Sequence, residues 1–302
     1  MLECIPNVSE GRRPEIVEAL ADEVRSVGGV RLLDRSSDWS HHRSVFTFVG
    51  EAPAVERALL RLFARAVSLV DLRTHRGVHP RVGAVDVVPF VPLTGSSMAD
   101  AVAAARLVGA AMAADYGVPV YLYEEAAIRP ERRRLEAIRK GGFEALAQKM
   151  TTPEWAPDFG PLVPHPTAGA SVVGARRSLI AFNVTLATDQ LEVARQIARA
   201  VRTSSGGLPA VKAMGVALED RGVVQVSMNL TDHTQTSMVD AFDAVRREAA
   251  RRGVSVLESE LVGLAPAAAL DAERAAFMAI RDFSPERILE HAVAGGAAGT
   301  SD

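Results

Sequence analysis

A chain of 302 residues, 48% of them hydrophobic, can bury a sizeable core, which excludes a disordered protein and suits two compact domains or one large one. The formal net charge of -3 excludes a surface committed as a whole to nucleic acid, and the single cysteine excludes an intramolecular disulfide or a multi-cysteine zinc site. No apolar stretch reaches the roughly 18 residues of a membrane span, and the acidic, proline-bearing start is no secretory leader, so a cytoplasmic chain without a membrane partner is expected.

Residues 2–6 read as a strand. Residues 12–27 follow with Ile16, Val17, Leu20, Val24 and Val27 on one helical face. Gly28-Gly29 ends that helix, since glycine takes up the left-handed cap conformation without steric cost. Residues 30–34 and 44–49 are strand-like, 53–70 form a helix, and a polar loop runs over 71–83. Residues 84–91 alternate as a strand, 98–116 have the spacing of a helix, and 118–123 add a further strand. The second half repeats the order, with a strand over 179–186, a helix over 189–202, strands over 211–218 and 223–230, a helix over 237–253 and a strand over 254–263. Each half reads β-α-β-β-α-β, so the fold class is α+β: two ferredoxin-like subdomains in tandem, the first with an added helix and strand. Residues 130–174 are the least regular and read as a connection that contributes to the site. Residues 295–302 read as a frayed, disordered tail.

The loop over 71–83 carries the most chemistry. Arg73, His75, Arg76, His79 and Arg81 fall within nine residues, with no acid between them. A solvated basic face would account for the arginines alone. Two histidines beside Gly77 and Pro80 are held on a fixed, non-helical path that can aim a side chain, and an imidazole there can move a proton near neutral pH. His75 and His79 have an i,i+4 spacing, but glycine and proline break the helix and no glutamate follows His75, so no metal is expected. His41 and His42 read as a surface turn, from which Arg43 and Asp38 can reach a cleft. Cys4, in an apolar strand, reads as a buried, inert thiol.

The segment over 156–177 is rich in glycine and proline. It has neither the Lys-Ser/Thr of a phosphate loop nor the G-x-G-x-x-G of a dinucleotide site. It is either a plain linker or, with Trp155 and Phe159 beside it, a backbone that approaches a flat ring closely. The ferredoxin-like order also occurs in RNA-recognition modules, but the strands lack the aromatic pattern those use, so no nucleic-acid partner is expected.

Several ordered stretches carry a more specific likeness: ECIPNVSEGRR, DRSSDWSHHRSVFTFVG, HRGVHPRVGAVDVVPFVP, GVPVYLYEEAA, WAPDFGP, GARRSLIAFNVTL, VQVSMNLTD and ELVGLAP. Through them the chain resembles the formiminotransferase family over residues 2–290. The resemblance implies two α/β subdomains of related fold, here 1–177 and 178–294, and a homodimer. It implies transfer of a formimino, or formyl, group between N-substituted glutamate and N5 of tetrahydrofolate. It implies His79, in VHPRVG, as the general base. It implies a folate-binding loop after P-D-F-G, made of Gly160, Pro161, Leu162, Val163, Pro164, His165, Pro166, Thr167, Ala168 and Gly169. Tetrahydrofolate enters as a substrate, with no metal. Formiminoglutamate and folate are both anionic, and Arg43, Arg73, Arg76 and Arg81 are suitable partners for their carboxylates, since a guanidinium pairs with a carboxylate through two hydrogen bonds. Animal members carry a following cyclodeaminase domain; this chain is expected to act without it and so without ammonia removal. The same fold acting on formyl groups, as a glutamate formyltransferase or a 5-formyltetrahydrofolate-clearing enzyme, and a folate-binding protein without turnover, are the alternatives.

Overall fold

The computed structural model describes residues 1–295 and has a mixed α+β architecture. The chain divides into two compact units, Met1–Arg176 and Arg177–Asp302. Of the tail expected over 295–302, Gly295 closes a helix and the remainder lies outside the described residues.

In the first unit β1 (Leu2–Cys4) and β2 (Asn7–Val8) occupy one sheet position. They were expected as a single strand; Ile5-Pro6 divides it, because proline has no N–H for the ladder. Next come α1 (Pro14–Arg25), β3 (Val30–Asp38), β4 (Arg43–Gly50), α2 (Ala52–Leu69) and β5 (Val85–Pro92). β1 and β2 pair antiparallel with β4 on one side and β5 on the other, and β3 pairs with β4. This is the split βαβ order read from the sequence. Helix α3 (Met98–Tyr116) starts at a reciprocal Ser97–Asp100 capping box and ends at Gly117, whose φ of 64° suits glycine.

The sheet then grows by two strands, not one. β6 (Val120–Glu124) is separated from β5 by β7 (Ser171–Ala175), which is buried along its whole length and parallel to both neighbours. A continuous apolar run without alternation suits a parallel strand covered on both faces. The stretch over 130–174, expected to be irregular, also forms α4 (Leu135–Arg139) and α5 (Gly142–Lys149). The resulting seven-stranded sheet packs α1, α2 and α3 onto a core that includes Leu20, Phe48, Leu59, Phe63, Phe90 and Leu122.

The second unit contains β8 (Ile180–Leu186), α6 (Leu191–Val201), β9 (Val211–Leu218), β10 (Val223–Leu230), α7 (Met238–Ala250), β11 (Val256–Val262), α8 (Ala272–Phe277) and α9 (Leu289–Gly295). Its antiparallel sheet runs β11-β8-β10-β9, again the split βαβ order. Alternate residues Phe182, Val184, Val224, Val226 and Met228 build its core with Ile197, Phe242 and Val245 of the helices. Among the described residues no helix is long and apolar enough to cross a membrane.

Candidate active site

Three elements of the first unit bring charge to one place. Asp86 lies on β5, is fully buried, and accepts from Arg43 Nη1 at 2.7 Å, from Arg139 Nη2, and from the Val82 amide at 2.8 Å. Burial would raise its carboxyl pKa, but Arg139, Arg43 and the Val82 amide outweigh that and hold it well below the usual range. Arg43, at the start of β4, also donates Nε to Asn7 Oδ1 of β2 at 3.0 Å. Burial and the neighbouring Arg139 lower its pKa to about 10, with Asp86 opposing them.

His79 stands beside this cluster. Its Nδ1 donates to the Pro80 carbonyl at 2.8 Å; a carbonyl can only accept, so in the neutral ring Nε2 carries the lone pair. Part of His79 still meets solvent, yet protein atoms surround most of the ring. Burial, and then Arg43 and Arg139, push its pKa well below the ordinary histidine value. The His41 ring lies 5.9 Å away between centroids, and its Nδ1 meets Asp38 Oδ1 at 2.7 Å. A neutral imidazole with one nitrogen fixed and the other available is suited to take up and return a proton.

His75, four residues away, is built differently. It donates Nε2 to the His42 carbonyl at 2.8 Å and accepts from Arg81 Nε at Nδ1 at 2.8 Å. Burial lowers its pKa to about 4, so it is a neutral structural link. The expected surface turn of His41 and His42 is largely buried: His41 is 8% exposed, and His42 stacks on His75 at 4.1 Å. His42 donates Nδ1 to the Arg76 carbonyl at 2.9 Å, and its Nε2 faces buried Glu10 at 3.3 Å. Burial would raise the Glu10 pKa, but bonds from His42, Arg12 and Arg13 hold it to about 2. Gly77 closes the arrangement, since a β-carbon there would lie 2.4 Å from the His41 carbonyl oxygen.

The four arginines separate. Arg43 belongs to the cluster. Arg81 is committed to Glu144 of α5 through bonds of 2.8 and 3.2 Å. Arg73 is exposed and pairs with Asp71, the acid just before the basic run. Exposed Arg76 donates to the carbonyls of His75 at 2.8 Å and Arg73 at 3.3 Å.

In the segment over 160–169, Gly160 has φ 92° and Gly169 has φ 67°, both in the left-handed region. The space over each is filled by protein: a β-carbon on Gly169 would lie 2.1 Å from the Val82 carbonyl oxygen, and one on Gly160 3.1 Å from Ala113 Cβ. The backbone path therefore explains both glycines. His165 and Gly169 bond to each other in both directions at 2.8 and 2.9 Å, and Thr167 and Ala168 receive the amides of Leu72 and Ala84. Pro161, Leu162, Val163 and Pro166 are exposed, while Pro164 and His165 are half-buried. Phe159 bridges to Val120 and packs on the core, and Lys149 sits 3.7 Å over Trp155, so both aromatics are engaged within the protein. Fully buried Arg132 ties the preceding turn through Asp158 and the carbonyls of Glu154 and Ala156.

Asp86, Arg139, Glu10 and Glu144 were not singled out in the sequence. Asp86 carried a signal, as a lone acid inside an otherwise apolar strand, VDVVPFV. Arg139 and Glu144 carried none. Cys4 is fully buried and its thiol pKa is pushed up, first by burial and then by Glu3. Among the described residues, no group of three or more His, Cys, Asp or Glu is placed to hold a metal ion.

Residues 1–176 match the formiminotransferase domain, N-terminal subdomain, and residues 181–289 match the formiminotransferase domain. The chain is 43% identical to the glutamate formimidoyltransferase of Streptococcus pyogenes serotype M1, over 98% of this chain and 99% of that protein. It is 44% identical to the glutamate formimidoyltransferase of Thermoplasma acidophilum, over 96% of each. It is 42% identical to the formimidoyltransferase-cyclodeaminase of Rattus norvegicus over 89% of this chain, which corresponds to 51% of that protein. The sequence motifs and both domain matches agree: this chain belongs to the formiminotransferase family.

Proposed function

We propose that this chain transfers a formimino group between N-formimino-L-glutamate and N5 of tetrahydrofolate, with His79 as the proton carrier. The observation that supports this most is the fixed tautomer of His79, with Nδ1 held by the Pro80 carbonyl and an available Nε2 beside two guanidinium groups. N5 of tetrahydrofolate attacks the formimino carbon and forms a tetrahedral adduct. His79 Nε2 takes the N5 proton and then gives a proton to the glutamate nitrogen. The bond between that nitrogen and the transferred carbon breaks, leaving glutamate and 5-formiminotetrahydrofolate. Arg43 is the inner candidate for a substrate carboxylate, and Arg76, exposed and bonded among the described residues to carbonyls, the outer one. Arg73 and Arg81 must first leave Asp71 and Glu144 to serve the same way. The segment from Gly160 to Gly169 offers folate its apolar tip, Leu162 and Val163.

The family likeness carries three further proposals: a homodimer, a cytoplasmic location, and turnover without a metal. The test of function is to mix purified protein with formiminoglutamate and tetrahydrofolate and follow 5-formiminotetrahydrofolate, with N-formylglutamate as the parallel donor. Transfer from the formimino donor is expected. No transfer, or transfer from the formyl donor alone, would reject the proposal.

A further inference from the structure

Asp86 accepts from three donors, and it meets two guanidinium groups with one negative charge. Three other acids of this unit have partners of their own: Glu10 with Arg12, Arg13 and His42, Glu144 with Arg81, and Asp38 with His41. Tyr123, a buried neighbour whose pKa burial raises to about 12, supplies no charge. Two guanidinium groups therefore share one carboxylate in a buried place, an arrangement that an arriving anion would stabilise. Arg139 also has donor capacity in hand: Nε is buried and bonded to nothing among the described residues, and the one bond it makes to Asp86 uses Nη2.

We infer that Arg139, acting with Arg43, is the binding site for the α-carboxylate of the formimino donor. The inference rests on the proposed transfer with His79 as proton carrier. The nitrogen that His79 must protonate is two bonds from the α-carboxylate carbon, about 2.5 Å away by ordinary bond lengths and angles. The carboxylates of folate are separated from N5 by the whole benzoyl spacer, and the γ-carboxylate of the donor by its side chain. A carboxylate site that adjoins the base is therefore matched to the α-carboxylate. Arg73 and Arg81 are neutralised by Asp71 and Glu144, and Arg76 lies on the exposed side of the loop. The planar fork of Arg139 fits a carboxylate while it still bonds Asp86.

The experiment pairs two donors with three enzymes. N-formimino-L-glutamate is compared with N-formimino-4-aminobutyrate, which differs only in lacking the α-carboxylate, in the wild type, Arg139→Met and Arg139→Lys. Arg139→Met is expected to raise KM for formiminoglutamate by about 10- to 100-fold, the worth of a charged hydrogen bond. It should leave KM for tetrahydrofolate within about 3-fold and largely abolish discrimination between the donors, and Arg139→Lys should recover part of that discrimination. A purely structural role for Arg139 would damage turnover of both donors alike. Full discrimination in Arg139→Met overturns the inference while wild-type transfer leaves the proposed function standing. Calorimetry with L-glutamate and 4-aminobutyrate reads the same pair without turnover. Arg139-dependent preference for glutamate in a wild type that transfers nothing would reject the function and keep the site; equal binding of the two in the wild type would reject the site.

Discussion

The basic loop over 71–83 and the glycine-rich loop over 160–169 look equally promising as text, and the structure makes them opposites. In the first, glycine and proline hold a path along which side chains are aimed: His75 is bonded at both nitrogens, while His79 is bonded at one. In the second, glycines answer the backbone's own needs, and the side chains that remain exposed are apolar. The difference teaches that a glycine first reports the path of the chain. A charged residue acquires meaning only when its partner is known, as Arg73 with Asp71 and Arg43 with Asp86 illustrate.

The largest effect should come from His79 Nε2, the imidazole nitrogen that the first loop leaves without a partner among the described residues. His79→Ala removes the proposed proton carrier, and turnover should fall by about 10²–10⁴ while folate binding persists. Rates measured beside a folate titration check this, and near-normal turnover would remove the distinction between His79 and His75.

In the second loop, Gly169→Val should act on the fold. A left-handed backbone and a β-carbon driven into the Val82 carbonyl together cost roughly 2–5 kcal/mol. A thermal melt unchanged by the substitution would return that glycine to ligand binding.

His75 should show itself in stability. The folded state keeps its ring neutral with a pKa of about 4, against about 6.5 in the unfolded chain, so the unfolded chain takes up the proton first. The wild type is therefore at full strength, as far as His75 is concerned, above about pH 6.5, and loses on the order of 3 kcal/mol as pH falls toward 4. His75→Gln supplies one donor and one acceptor without titrating, and denaturant curves from pH 7 to 4 should decline less steeply for it. Parallel curves would show that His75 is not held neutral.

The smallest effect belongs to the exposed tip of the second loop. Leu162→Ser with Val163→Ser should leave the melt unchanged and weaken folate binding several-fold, about 1 kcal/mol of lost apolar contact per side chain. Unaltered affinity would make that tip bystander surface.

What the sequence made legible follows how local each signal is. The helix Met98–Tyr116 has the bounds its spacing predicts, because the Ser97 cap and Gly117 lie within a few residues of its ends. The hairpin strands Val211–Leu218 and Val223–Leu230 also match their alternation. The strand Ser171–Ala175 escaped because its short run of small and β-branched residues gains its identity only between two distant parallel partners. In the site, residue types were readable and their pairings were not. Arg81 meets Glu144 across 63 positions, and Arg139 meets Asp86 across 53, so no local spacing announces either bond.

The central claim is that His79 works as a neutral base, and the pH dependence of kcat/KM for formimino transfer tests it most directly, in the wild type and His79→Ala. Burial and two guanidinium groups lower the His79 pKa, so the base form persists to lower pH than for an ordinary histidine. The wild-type rate should hold through neutrality and fall only below about pH 6.5, and His79→Ala should lose that acid limb. An acid limb centred above about pH 6.5, or one retained in His79→Ala, would contradict the account.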